Sequence, residues 1–125
     1  MKINRYVDIS TIEREAKKDY IDRHSPFIHC EDTAKEGEKF TVKVKLGNEY
    51  THPDDFDHYI ANVQLWNRET LLAEATFTPG TLGNKPGHVE VDFNIVPSRD
   101  MKLLATAYCT KHGLWHSDEK EVAVK

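Results

Sequence analysis

The chain has 125 residues, enough for one domain, and at this size it can bury a little under ~70% of its unfolded surface without needing a metal merely to fold. Lys and Arg number 17 against 21 Asp and Glu, a formal charge of -4; with no long basic run, this argues against a nucleic-acid or anionic-membrane partner. No apolar run approaches the ~18 residues of a membrane span, and Met1-Lys2-Ile3-Asn4-Arg5 does not open a signal peptide, so a soluble, reduced, cytoplasmic protein is expected.

In chain order, residues 1–21 read as an N-terminal appendage. Ser10-Thr11-Ile12-Glu13 fits a capping box, which predicts a short helix from Thr11 to about Asp19. From residue 22 the chain reads as a single β domain to residue 125. Phe40, Val42, Val44 and Leu46 alternate with Thr41, Lys43 and Lys45, the mark of a strand with one buried face, and Gly47-Asn48 ends it. The loop 49–57 carries His52, Pro53 and three aspartates; a strand from about His58 to Trp66 follows, closed by a turn at Asn67-Arg68-Glu69. Leu71, Ala73, Ala75 and Phe77 alternate again, then a loop rich in Gly and Pro covers 79–87. Val89, Val91, Phe93 and Ile95 give the clearest strand, Leu103–Cys109 another, and Glu121–Val124 a last short one. About seven strands at this spacing predict an all-β, immunoglobulin-like antiparallel sandwich.

The chemistry concentrates near the C-terminus, in Tyr108-Cys109-Thr110-Lys111-His112-Gly113-Leu114-Trp115. A thiolate and an imidazole separated by two residues at a strand end, followed by a glycine that permits a tight turn, can face one metal ion. Two ligands are too few, and His52 and His58 lie upstream, with His24 and His29 further back. If four histidines and Cys109 meet, the site has five protein ligands. Structural zinc usually stops at four, whereas nitrogen-rich coordination with one soft sulfur and a vacant position suits redox iron. Use of Cys109 as a ligand excludes a disulfide with Cys30, which reads as a free buried thiol. Pro53 disfavours helical backbone at His52 and holds that imidazole in an extended loop. His29, His88 and His116 read as solvent or core residues, Trp66 as core, and Trp115 as a cover over the metal.

Cys109-Thr110-Lys111-His112-Gly113-Leu114-Trp115, together with Thr51-His52-Pro53 and His58, resembles the superoxide reductase family, the neelaredoxin and desulfoferrodoxin iron proteins, over most of the chain from about Asp22. Pro26, two residues after His24, matches the family's first motif and selects His24 over His29. The resemblance implies a mononuclear iron, cycling between Fe2+ and Fe3+, held by His24, His52, His58, His112 and Cys109. It implies four imidazoles in a plane, the thiolate on one side and an open position opposite, where superoxide is reduced to hydrogen peroxide. A rubredoxin-like electron donor and a homo-oligomer, dimer or tetramer, follow from the one-iron class it resembles.

In the family, Glu-Lys precedes the first histidine and Val-Pro follows it. Here the segment reads Asp22-Arg23-His24-Ser25-Pro26. Asp22 and Arg23 are therefore the candidate catalytic residues, a shorter carboxylate and a permanent cation that attracts an anion but donates protons poorly. Two rival readings use the same residues: a non-enzymatic iron domain for electron transfer or redox sensing, and a zinc-stabilised interaction module.

Overall fold

The computed structural model of the chain describes residues 18–125. A short helix α1, Lys18–His24, leads into nine strands: β1 Pro26–His29, β2 Thr33–Ala34, β3 Phe40–Leu46, β4 Ile60–Asn67, β5 Thr70–Thr76, β6 Glu90–Ile95, β7 Met101–Cys109, β8 Gly113–His116 and β9 Lys120–Val124. One sheet has the order β1-β3-β6; the other runs β2-β9-β7-β4-β5, with β8 on the end of β7. All pairings are antiparallel except the two-residue β2 with β9.

The two sheets close on one core. Val42, Val44 and Leu46 from β3 and Phe93 from β6 meet Val63 and Leu65 from β4, Leu103, Ala105, Ala107 and Cys109 from β7, and Val122 from β9. Alternation in β3 follows from its place, one face on this core and the other in water with Lys43 and Lys45. β7 lacks that alternation because it is central, and every residue but Lys102 and Tyr108 is buried. The result is the all-β, immunoglobulin-like sandwich that the spacing predicts, with short β1, β2 and β8 added to the six strands placed along the sequence.

Two expectations are corrected. The strand expected from His58 begins at Ile60, and His58 lies in a turn before it, exchanging backbone hydrogen bonds with Asp55. Leu71, expected to face inward, is 43% exposed because β5 is the outer strand of its sheet. Helix α1 spans the expected boundary at residue 22 and carries Asp22, Arg23 and His24 in its last turns. The capping box at 10–13 and most of the helix expected at 11–19 lie outside the described residues.

Two irregularities set up one end of the sandwich. A bulge between Ile60 and Asn62 breaks the β4–β7 register next to Cys109; a bulge re-aims a strand end where a site is built. The β7–β8 hairpin then turns in three residues, 110–112, with Gly113 at φ 84. That left-handed backbone is cheap for glycine alone among the common residues, and it folds His112 back over Cys109.

Candidate metal centre

Five side chains from four segments converge at this end. His24 ends α1, His52 sits in the loop after β3, His58 precedes β4, Cys109 ends β7, and His112 occupies the hairpin turn. The donor atoms of His24, His52, His58 and Cys109 all lie within 4.8 Å of one another. His112 joins them: its Nδ1 is 3.1 Å from His24 Nε2 and 3.8 Å from Cys109 Sγ. The thiol sulfur is 3.3 Å from His52 Nε2.

The imidazoles form a closed ring of neighbours. His24–His52, His52–His58, His58–His112 and His112–His24 have centroids 5.1, 4.9, 4.9 and 4.8 Å apart, each pair steeply inclined at 71–80°. Two nitrogen donors about 2.1 Å from one ion and at right angles lie about 3.0 Å apart, and a nitrogen and a thiolate about 3.1 Å. The closest separations here, 3.1 and 3.3 Å, fit that spacing. His58 Nε2 is buried without a hydrogen-bond partner, which is costly for a polar atom unless something else takes its lone pair. A metal ion fits the donor set.

Backbone carbonyls fix which nitrogen is free. His24 Nδ1 donates to Tyr20 O at 2.6 Å, and His52 Nδ1 donates to Pro53 O at 2.7 Å, so each ring turns its Nε2 lone pair toward the centre. The first of these bonds exists because residues 20 and 24 are one helical turn apart, which brings the His24 ring within reach of the Tyr20 carbonyl. The ring of Tyr20 stands edge-on to His24, His112 and Trp115, at 4.9, 5.3 and 5.3 Å. Trp115 stacks on His24 at 5.0 Å and 16° and donates its indole N–H to His112 O. His24, His52 and Cys109 are thus buried, while His58 and His112 stay half-exposed.

Electrostatics prepares the donors. Burial pushes His24 down to about 3; its bond to Tyr20 opposes this, and the neighbouring imidazoles add to it. Burial likewise takes His52 down to about 4, and it lowers His58 and His112, each helped by nearby cationic charge. All four rings are therefore neutral near pH 7, with lone pairs available. Burial raises the Cys109 thiol, and backbone N–H groups of Lys111 and His112 partly offset that, the latter 3.4 Å from sulfur. The thiol accordingly keeps its proton until a cation displaces it.

Asp22 and Arg23 stand apart from the five. Arg23 donates Nε–H to Asp19 O and pairs with the Asp19 carboxylate at 3.7 Å, yet its charge is felt by His52 and His112. The Asp22 carboxylate accepts backbone N–H groups of Asn48, Glu49 and Tyr50 and so faces the loop before His52, not the cluster. Two supporting residues escape a reading of the sequence. Tyr20 has no signal unless a helix is placed at 18–24. Asp54, buried, accepts N–H from Gly80, Leu82 and Asn84 and ties the 79–87 loop to the His52 loop.

The desulfoferrodoxin family model matches residues 12–118. The chain is 31% identical over 103 residues to the superoxide reductase of Thermococcus kodakarensis, covering 78% of this chain and 85% of that protein. It is 29% identical over 117 residues to neelaredoxin of Megalodesulfovibrio gigas, covering 83% and 89%. Among solved structures, superoxide reductase (neelaredoxin) from Ignicoccus hospitalis superposes with a TM-score of 0.67 at 28% identity, over 82% of this chain and 81% of that one. That of Nanoarchaeum equitans gives 0.65 at 33%, over 81% and 94%. With its fold, its four-imidazole ring and its buried thiol at the C-terminal hairpin, the chain belongs to the desulfoferrodoxin family.

Proposed function

We propose that this protein is a superoxide reductase, which adds one electron and two protons to superoxide and releases hydrogen peroxide. The observation that carries the reading is the ring of four neutral imidazoles beside one buried thiol in a chain of this family. His24, His52, His58, His112 and Cys109 would hold a single iron, and when bound it supplies one electron as it passes from Fe2+ to Fe3+. Zinc offers no such electron, and one sulfur among nitrogens is not its usual structural set.

The chain's own residues do the rest. The carbonyls of Tyr20 and Pro53 hold the tautomers of His24 and His52, and Trp115 and Tyr20 keep water from the His24 side. The half-exposed edges of His58 and His112 leave approach from that side. Arg23, and Lys111 between two of the donor residues, place positive charge there, which draws in a small anion although the whole chain is negative. Arg23 does not release its proton at ordinary pH, so the two protons come from water. Re-reduction draws on a small one-electron carrier of the rubredoxin kind. The outer strand β5, with Leu71 and Leu72 exposed and one charge in seven residues, suits self-association into a dimer or tetramer. Among the described residues no helix is long and apolar enough to cross a membrane, and we place the protein in the cytoplasm.

The test is pulsed superoxide on the reduced, iron-loaded protein with peroxide measured. One peroxide per superoxide, without oxygen release, is expected; half that yield, with oxygen released, means dismutation and overturns the reading. Arg23→Ala should slow capture roughly three- to tenfold in stopped-flow at low salt, the difference vanishing near 1 M salt, where the screening length is about 3 Å. Equal rates at low salt would remove Arg23 from the path of the anion.

A further inference from the structure

The turn after β3 is built around one carboxylate. Asp22 Oδ2 accepts N–H from Asn48, Glu49 and Tyr50 at 3.1, 3.0 and 2.9 Å, and Oδ1 accepts Asn48 N–H again at 3.0 Å. The preceding amide, Gly47 N–H, donates to Ser25 O at 2.9 Å. Four successive backbone N–H groups thus converge on the C-terminal end of α1, a concave nest of the kind that binds anions. Gly47 makes it possible: φ is 76, and a Cβ there would lie 2.3 Å from Tyr50 O. The helix end is fastened from its own side as well, with Ser25 N–H on Asp22 O and Ser25 Oγ–H on Ile21 O.

The placement matters because of what flanks each partner. Asp22 is two residues before His24, and Tyr50 is two residues before His52. These two histidines come from different elements, and their rings are 5.1 Å apart at 80°. We infer that Asp22 is a positioning residue for the metal centre: its grip on the 48–50 amides sets His24 against His52, and it touches neither metal nor substrate. An aspartate suits this task. Its short stem ends at the loop, and its charge makes each of the N–H bonds a strong, directional one.

The inference rests on the reading that these side chains hold a metal, and its test reads metal binding without superoxide. Cobalt(II) is titrated into the metal-free full chain, and the dissociation constant, the visible spectrum and the unfolding midpoint of the metal-free protein are compared for wild type, Asp22→Ala and Asp22→Asn. Asp22→Ala should weaken cobalt binding about tenfold and shift its ligand-field bands, as loss of an outer-shell support does. Asp22→Asn, which keeps an oxygen where Oδ2 sits, should recover most of the affinity. A lower midpoint with affinity and bands unchanged would mean that Asp22 serves the fold alone, and overturns the inference. Loss of affinity in the alanine variant without recovery in the asparagine variant would overturn it as a geometric device. A wild type that gives no cobalt spectrum overturns the metal reading itself, and this inference with it.

Discussion

Cys109→Ser is expected to abolish the visible thiolate-to-iron absorption of the oxidised, iron-loaded protein and to lower its rate with superoxide by more than about 100-fold. Removing outer-shell partners alone costs metal sites 10- to 100-fold, and this change removes a donor. Cys109 is fully buried at the end of β7, with Sγ 3.3 Å from His52 Nε2 and 3.8 Å from His112 Nδ1, so its sulfur lies at donor distance among the imidazoles. Cys30, the second cysteine, is on the segment between β1 and β2. Serine fills the space but offers a hard oxygen that stays protonated at neutral pH, where the site calls for a soft anion.

The same variant separates the rival readings. A zinc-stabilised module would have no band to lose, and the serine protein would differ from wild type in stability alone. A non-enzymatic iron domain would lose the band but have no superoxide rate to lower. Absorption spectra of the oxidised proteins and stopped-flow on the reduced ones decide it, and a band that persists unaltered in Cys109→Ser would place the sulfur donor elsewhere.

What the sequence discloses tracks how local the physical cause is. β3 and β6 are legible because each has one face on the core and one in water, so Val42 and Val44, or Phe93, stand out against their polar neighbours. β5 misleads in the same terms. Leu71 keeps the rhythm of an inward face, but at the outer edge of the sheet nothing covers it. Helix α1 has no apolar stripe in Lys-Asp-Tyr-Ile-Asp-Arg-His; a seven-residue helix is marginal in water, and this one is held by contacts with distant segments. The five donor residues are legible because imidazole and thiolate are rare, and their spacing around His-Pro and Cys-x-x-His is distinctive. Their supports are not: the partners of Asp22 and Asp54 are backbone amides, which every residue but proline carries, and Tyr20 contributes a carbonyl as well as a ring.

Removing the metal is expected to lower the thermal midpoint at pH 7.5 by roughly 10 °C or more, since a ligand at 1,000 times its dissociation constant adds about 4 kcal/mol to a domain of this size. The metal-free protein should then grow weaker with acid in a way that reports the imidazoles. In the folded chain burial holds His24 at about 3 and His52 at about 4, with His58 and His112 also lowered; in the unfolded chain all four protonate near 6.5. Because the folded values are depressed, the unfolded state binds more protons below 6.5. Stability is whole above that pH and is lost as pH falls toward the folded values, by up to about 1.4 kcal/mol per pH unit for each buried ring. Carboxylates contribute little above about pH 5, so the window from 6.5 to 5 isolates the histidines. Calorimetry across that window should show the metal-free midpoint falling steadily, and a flat profile would mean that these rings are hydrated and chargeable in the folded protein, so that burial does not depress them.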